Sequence, residues 1–156
     1  MLSPSSSVSW VPRRYPILLA IFTFLFVLRV AGQILVGLRE VNFLPPFAEW
    51  YSGLMPYWML LPVQLVMIVG MIVIIRDFVR GEGWFVSFKP RTGMILMALG
   101  CIYAGAMVVR YVVTMALHPE LRWFTGTIPI WFHLVLAAFI FTIGHYQVWR
   151  AGLVKA

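Results

Sequence analysis

LMPYWMLLPVQLVMIVGMIVII, from Leu54 to Ile75, contains 22 residues and no charged side chain. A helix of this length rises about 33 Å, because each residue adds about 1.5 Å, and the hydrocarbon core of a bilayer is about 30 Å thick. Three further stretches are comparably long and apolar, at Pro16–Leu38, Gly93–Leu117 and Ile128–Trp149. The sequence therefore predicts an all-α integral membrane protein, a four-transmembrane-helix bundle in which residues 1–156 form a single domain.

The composition excludes a water-soluble domain of this size. Hydrophobic residues make up 62% of the chain and charged residues 11%, against about 25% charged residues in soluble domains. The first apolar run follows Arg13 and Arg14, as in a signal peptide. It is about twice the usual length of a signal-peptide core and precedes no A-x-A-like site, so we predict a retained helix. The Ser-rich residues 1–12 are expected to be disordered.

The net charge of +7 is distributed unevenly along the chain. Only Arg39 and Arg122 flank the spans on one side of the predicted topology. Eight basic residues flank them on the other side: Arg13, Arg14, Arg76, Arg80, Lys89, Arg91, Arg150 and Lys155. The positive-inside rule then predicts a multi-pass protein of the plasma membrane, such as a bacterial inner membrane, with both termini cytoplasmic. Attraction to anionic lipid explains the basic excess without nucleic acid as a partner.

The phrase WYSGLMPYW at 50–58 recurs as WFTGTIPIW at 123–131, with two Trp, one Gly and one Pro identical. Each copy precedes a helix that enters the membrane from the outer side. The flanking Trp residues suit the membrane interface, Ser52 and Thr125 suit helix caps, and Pro is tolerated in a first turn. A shared interface constraint could produce two such phrases independently. Duplication explains the identities better and predicts a direct repeat of two helical hairpins about an axis along the membrane normal.

Polar side chains inside the spans concentrate in the predicted outer half. Arg29 lies nine residues from the outer end of its span, or about 13 Å deep, and Arg110 about 10 Å deep. The candidate ligand-binding residues are Arg29, Gln33, Gln64, Arg110, Thr114 and His133. No span contains a carboxylate, and the outer loops supply only Glu40, Glu49 and Glu120.

The two intramembrane arginines have a structural and a functional explanation. In the structural one, Arg110 extends outward to water, and Arg29 pairs with a loop Glu or binds backbone carbonyls. In the functional one, Arg29 and Arg110 hold an anionic group between helices 1 and 3, because a guanidinium binds carboxylates and phosphates well. A lipid phosphate, a carboxylate, a haem propionate or an acidic residue of another subunit would each fit.

The histidines allow two further interpretations without a specific spacing to support either. His118 and His133 are alternative haem ligands, with Arg29 and Arg110 near the propionates. His118, Glu120 and His133 are a conceivable metal site, although each residue also has an ordinary structural role. The single cysteine, Cys101, is expected to be a small packing residue, since one thiol forms neither a disulfide nor a CxxC site within one chain.

The sequence contains no HExxH, P-loop, GxSxG or GxGxxG motif. We therefore predict a protein without catalytic activity of its own. It would bind a lipid-like or anionic ligand, or act as an accessory subunit alongside other membrane subunits or copies of itself. The alternative is a redox membrane protein that binds haem b or quinone. A channel or transporter is disfavoured because no polar track crosses the inner half.

Overall fold

The computed structural model describes residues 10–39, 44–46, 50, 56–87, 89–118 and 127–155. Within these ranges the chain forms four long helices and no strand. The helices are α1 (Arg14–Leu38), α2 (Tyr57–Arg80), α3 (Pro90–Leu117) and α4 (Ile128–Lys155). Each is long and apolar enough to span a membrane. The prediction of an all-α, multi-pass membrane protein with a four-helix bundle is confirmed.

Neighbouring helices run antiparallel, which gives the bundle two distinct ends. At the basic end α1 and α3 begin and α2 and α4 end. At the loop end α1 and α3 end and α2 and α4 begin. The contact of Tyr15 with Tyr146 lies near the basic end, and the approach of Arg29 to Phe132 lies toward the loop end. The expected disorder of residues 1–12 falls mostly outside the described residues, which begin at Trp10.

The helices extend further at the basic end than the apolar spans predict. Helix α2 continues beyond Ile75 through three charged residues to Arg80, and ends at Gly81, whose φ of 69° is left-handed. Charged side chains end an apolar span because they need water, but they do not end a helix. Glycine ends it by adopting a backbone conformation that other residues adopt at a cost.

Helix α4 is the centre of the bundle and packs against α3 along most of its length. A Cβ atom built on Gly144 would lie 2.7 Å from the carbonyl oxygen of Gly93 and 2.7 Å from the backbone nitrogen of Met97. One built on Gly100 would lie 3.1 Å from the carbonyl oxygen of Ala137. Three glycines therefore allow the two backbones to approach closely, which is the common way for helices to associate in lipid.

Aromatic side chains join α1, α2 and α4 at the basic end. The Tyr15 ring lies 5.0 Å from the Tyr146 ring, and the Phe78 ring lies 4.9 Å from it. The Tyr15 hydroxyl is 3.0 Å from Nδ1 of His145, and an Arg150 Nη1 donates to the Tyr146 hydroxyl at 3.0 Å. Such edge-on ring contacts stabilise a core by about 0.5–1.5 kcal/mol each beyond the burial of apolar area.

The bundle is open on one side. Among the described residues, close backbone packing joins α1 to α2, α1 to α4 and α3 to α4. Helix α2 meets α4 through the rings of Phe78 and Tyr146 without such close packing, and α1 and α3 do not pack against each other. The predicted repeat relates α1 to α3 and α2 to α4 by a two-fold axis along the membrane normal. This axis would turn the α1–α4 contact into an α3–α2 contact, which the described residues do not make. The described contacts do not reproduce that symmetric packing, and the direct repeat of two helical hairpins stays a prediction. Whether Trp50 and Trp123 are equivalent stays a prediction, because Trp123 lies outside the described residues.

The close α3–α4 contact predicts how two glycine substitutions should differ. Gly144→Ala forces a methyl group against the backbone of α3 and should lower the free energy of unfolding by about 1–3 kcal/mol, the usual cost of overpacking. Gly105→Ala is the matched control, because a Cβ there meets no atom within 4 Å. Thermal unfolding in detergent should show a lower Tm for Gly144→Ala alone. Equal Tm values for the two variants would contradict the packing described.

Candidate functional site

A cleft of about 230 Å³ opens between α2 and α4 toward the loop end, with α1 at its base. The backbones of its two walls are not closely packed, and the ring contact of Phe78 with Tyr146 joins α2 to α4 nearer the basic end. The lining residues are Phe26 and Arg29 from α1, Leu60, Val63, Gln64 and Met67 from α2, and Pro129, Phe132, His133 and Leu136 from α4. Three of the predicted site residues, Arg29, Gln64 and His133, thus meet in one cleft.

Arg29 is the charged group of this cleft and is only 6% exposed. Its Nη2 donates a hydrogen bond of 3.0 Å to the backbone carbonyl of Trp50. Its guanidinium carbon lies 6.0 Å from the centre of the Phe132 ring. The buried Nε has no hydrogen-bond partner among the described residues. The expectation that Arg29 binds a backbone carbonyl is confirmed, yet this contact leaves part of the guanidinium unpaired.

Trp50 holds the loop carbonyl that Arg29 needs. Its ring packs on α1, since a Cβ built on Gly32 would lie 2.6 Å from the indole. The indole N–H donates to the carbonyl of Pro45 at 3.0 Å, and the side chain is 7% exposed. The expectation that Trp50 anchors the protein in the interface is therefore wrong. Trp58, which is 74% exposed at the start of α2, better fits that role.

Two glutamines adjoin the arginine and are almost completely buried. Gln64 is 4% exposed and donates from Nε2 to Oε1 of Gln33, which is 0% exposed, at 3.2 Å. The remaining amide atoms, Nε2 of Gln33 and Oε1 of Gln64, have no partner among the described residues. A buried polar atom without a partner costs about 1–3 kcal/mol, so a cluster of them requires an explanation.

His133 completes the polar wall of the cleft. Its Nδ1 is hydrogen-bonded to the carbonyl of Pro129, one turn earlier in α4. A carbonyl only accepts, so the imidazole donates this hydrogen bond from Nδ1. The ring also meets Tyr103 of α3 edge-on, at 5.9 Å between ring centres. These two contacts restrain the orientation of the imidazole.

Arg110 and Thr114 do not join this cleft. Both are half-buried on α3, and neither lines the cleft. Among the described residues α1 and α3 do not pack against each other, so the structure does not bring Arg29 and Arg110 together as expected for an anion held between helices 1 and 3. Helix α4 lies between them.

His118 ends α3, where its N–H donates to the carbonyl of Thr114 at 2.8 Å, and it does not line the cleft with His133. Within the described ranges no three His, Cys, Asp or Glu side chains are grouped as metal ligands would be. The metal site that includes Glu120 stays untested, since Glu120 lies outside those ranges, as do Glu40 and Glu49.

Cys101 is exposed on α3, so the expected packing role is wrong.

A second groove, of about 320 Å³, continues from the first toward the basic end and was not predicted. Met67 and Leu136 line both. The rest of its lining is almost entirely apolar: Gly70, Met71, Ile74, Trp84, Phe85, Thr92, Leu96, Phe139, Ile140, Ile143 and Gln147. Apolar residues are expected everywhere in a span, so only the helix arrangement reveals this groove.

Comparison with known proteins adds no relative. No protein-family model matches the chain, and no curated protein and no solved structure is significantly similar to it. The residues of the cleft must therefore be interpreted from their own chemistry.

The separation of the arginines predicts additive effects on stability. Arg29→Gln should lower the free energy of unfolding by about 1–3 kcal/mol, because the Trp50 carbonyl loses its donor. The double variant Arg29→Gln, Arg110→Gln should equal the sum of the single changes within about 0.5 kcal/mol. Glu49→Gln, measured alongside, tests whether a loop carboxylate pairs with Arg29. If thermal unfolding shows a coupling free energy above about 0.5 kcal/mol between Arg29 and Arg110, the two arginines share a site, which would contradict the helix arrangement described.

Proposed function

We propose that this membrane protein binds an amphiphile with an acidic head group in the α2–α4 cleft and has no catalytic activity of its own. The head group would be bound by Arg29, with Gln64 and His133 lining the same cleft and Gln33 supporting Gln64. The apolar part of the ligand would contact the lipid-like walls of the cleft. Three of the polar residues predicted from the sequence line this cleft, and the proposal assigns them to one ligand site.

The observation that carries the proposal is the partly unpaired, buried guanidinium of Arg29. A charged side chain near the middle of a bilayer costs about 2.5–3.5 kcal/mol on insertion scales, so such residues are rare and commonly functional. One backbone carbonyl satisfies one of five guanidinium donors and carries no negative charge. An oxyanion would supply both the charge and the additional acceptors.

The shape of the cleft favours a ligand that arrives from the bilayer. Its walls are apolar except for the polar cluster, and the backbones of the two flanking helices are not closely packed beside it, so an amphiphile can enter sideways. A water-soluble anion would have to leave water for an apolar cleft about 7–13 Å below the helix ends at the loop end. An amphiphile offsets that cost by burying its own apolar chain, which contributes about 0.8 kcal/mol for each CH₂.

Purification tests the proposal through the lipids that stay bound. The wild-type protein, extracted in mild detergent, should retain an acidic amphiphile detectable by native mass spectrometry. Arg29→Gln should lose it, and Arg29→Lys should retain part of it, because lysine keeps the charge and loses the planar fork. Arg110→Gln is the matched control, since it removes the same charge from a helix outside the cleft.

Equal retention by the wild-type and Arg29→Gln proteins, with Tm values showing both folded, would overturn the proposal. A visible absorption spectrum of the same sample tests the alternative haem protein. A Soret band that disappears in His133→Ala would replace the amphiphile by haem. Recovery of another protein in a fixed stoichiometry, in place of a lipid, would instead support the hypothesis that this protein is an accessory subunit.

The proposed orientation places the basic end in the cytoplasm and the cleft in the outer half of a plasma membrane. The eight-to-two distribution of flanking basic residues supports it. A reporter enzyme active only outside the cytoplasm should give no signal when fused at Ala156 and a strong signal when fused at Glu49. The reverse pattern would place the cleft in the inner leaflet.

A further inference from the structure

We infer that the bound amphiphile has a single long apolar chain, which lies in the apolar groove between α2 and α4 and extends toward the basic end. The inference rests on the proposed function, because it assigns the tail of the ligand whose head group contacts Arg29. The head group would be compact, a carboxylate or a phosphate monoester. A long-chain fatty acid and an alkyl phosphate represent these two chemistries.

Continuity of the two cavities supports one ligand in both. Met67 and Leu136 face each other across α2 and α4 at the point where the polar cleft ends and the apolar groove begins. The polar atoms of the cleft lie on the side toward the loop end. Beyond this junction the lining turns apolar. A molecule that places an acidic head at Arg29 therefore has one apolar path along the bundle.

The length of the groove favours a long chain. On α4 the lining runs from His133 at the polar end to Gln147 at the basic end, 14 residues that rise about 21 Å. At its basic end the groove reaches Trp84 and Phe85, in the loop between α2 and α3. The groove has a volume of about 320 Å³ and is bounded by helices on both sides. A single chain fits this path better than the paired chains of a phospholipid.

The volume of the polar cleft limits the head group. Its 230 Å³ corresponds to the share of about eight water molecules in the liquid, at about 30 Å³ each. The side chains of Arg29, Gln64 and His133 already converge on this space. A carboxylate or a phosphate monoester fits, whereas a glycosylated head would project out of the cleft.

Gly70 provides a direct way to block the tail. It lines the apolar groove, and a Cβ built there meets no atom within 4 Å. Gly70→Leu would therefore fill the groove without disturbing the packing of α2. Gly105→Leu is a matched control, because Gly105 also lies on an exposed helix surface with no atom within 4 Å of a Cβ, but on α3 outside the groove.

The experiment uses the full chain in detergent and a palmitate analogue that carries a photoactivatable group on its last carbon. Unlabelled amphiphiles compete with this analogue for the site, and the decrease in labelling measures their affinity. Palmitate and hexadecyl phosphate test the two head groups, and octanoate tests chain length. In the wild-type protein, labelling should occur near Trp84 and Phe85. Gly70→Leu should weaken competition by the long-chain competitors about fourfold for each CH₂ excluded from the groove. It should leave octanoate unchanged, and Gly105→Leu should leave all three unchanged.

Two results would overturn the inference. Equal affinity of Gly70→Leu and Gly105→Leu for palmitate and hexadecyl phosphate would show that the groove does not hold the chain. Arg29-dependent retention of a two-chain phospholipid, without binding of any single-chain competitor, would exclude a single-chain ligand but leave the proposed function intact. If the wild-type protein retains no acidic amphiphile of either kind, the proposed function itself fails.

Discussion

The buried charge of Arg29 is the constraint on which the loop end of the bundle depends. A guanidinium about 13 Å from the end of α1 needs acceptors that an apolar helix cannot provide. The Trp50 carbonyl provides one, and it is held in place because the Trp50 ring packs on Gly32 and its N–H binds the Pro45 carbonyl. Arg29 thus has one carbonyl partner among the described residues, and it also lines the cleft.

The second determinant is the unequal packing of the four helices. Glycines bring α3 and α4 into backbone contact, whereas α2 is attached to the bundle through α1 and a basic-end aromatic contact to α4. Without a hydrophobic effect between helices in lipid, helices associate mainly where small residues let their backbones approach, and a Cβ built on Gly70 of α2 meets no atom within 4 Å. The gap between α2 and α4 follows from this difference. It is also what makes a lateral binding site for an amphiphile physically reasonable.

The sequence predicted the four spans and most of the polar site, because length, hydropathy and rare intramembrane polar residues are local signals. Arg29, Gln64 and His133 were identified by residue type alone, and the structure brings them together. Helix neighbours were not predictable: the alignment of Arg29 with Arg110 assumed a symmetry that the packing lacks. Trp50 was misjudged because a Trp near a span suits either an interface or a tight contact with glycine. Gly70 and the apolar groove gave no signal, since every span is apolar.

The most direct test of this account is the distance between the guanidinium of Arg29 and the head group of a bound amphiphile. Solid-state NMR of the protein in bilayers, with ¹⁵N-labelled arginine and carboxyl-¹³C palmitate or hexadecyl phosphate, measures this contact through dipolar coupling. The account predicts a coupling from the Arg29 nitrogens to the labelled carbon or to phosphorus, absent in Arg29→Gln and retained in Arg110→Gln. Arg29 nitrogens coupled instead to the Glu49 carboxylate, and to neither head group, would contradict it.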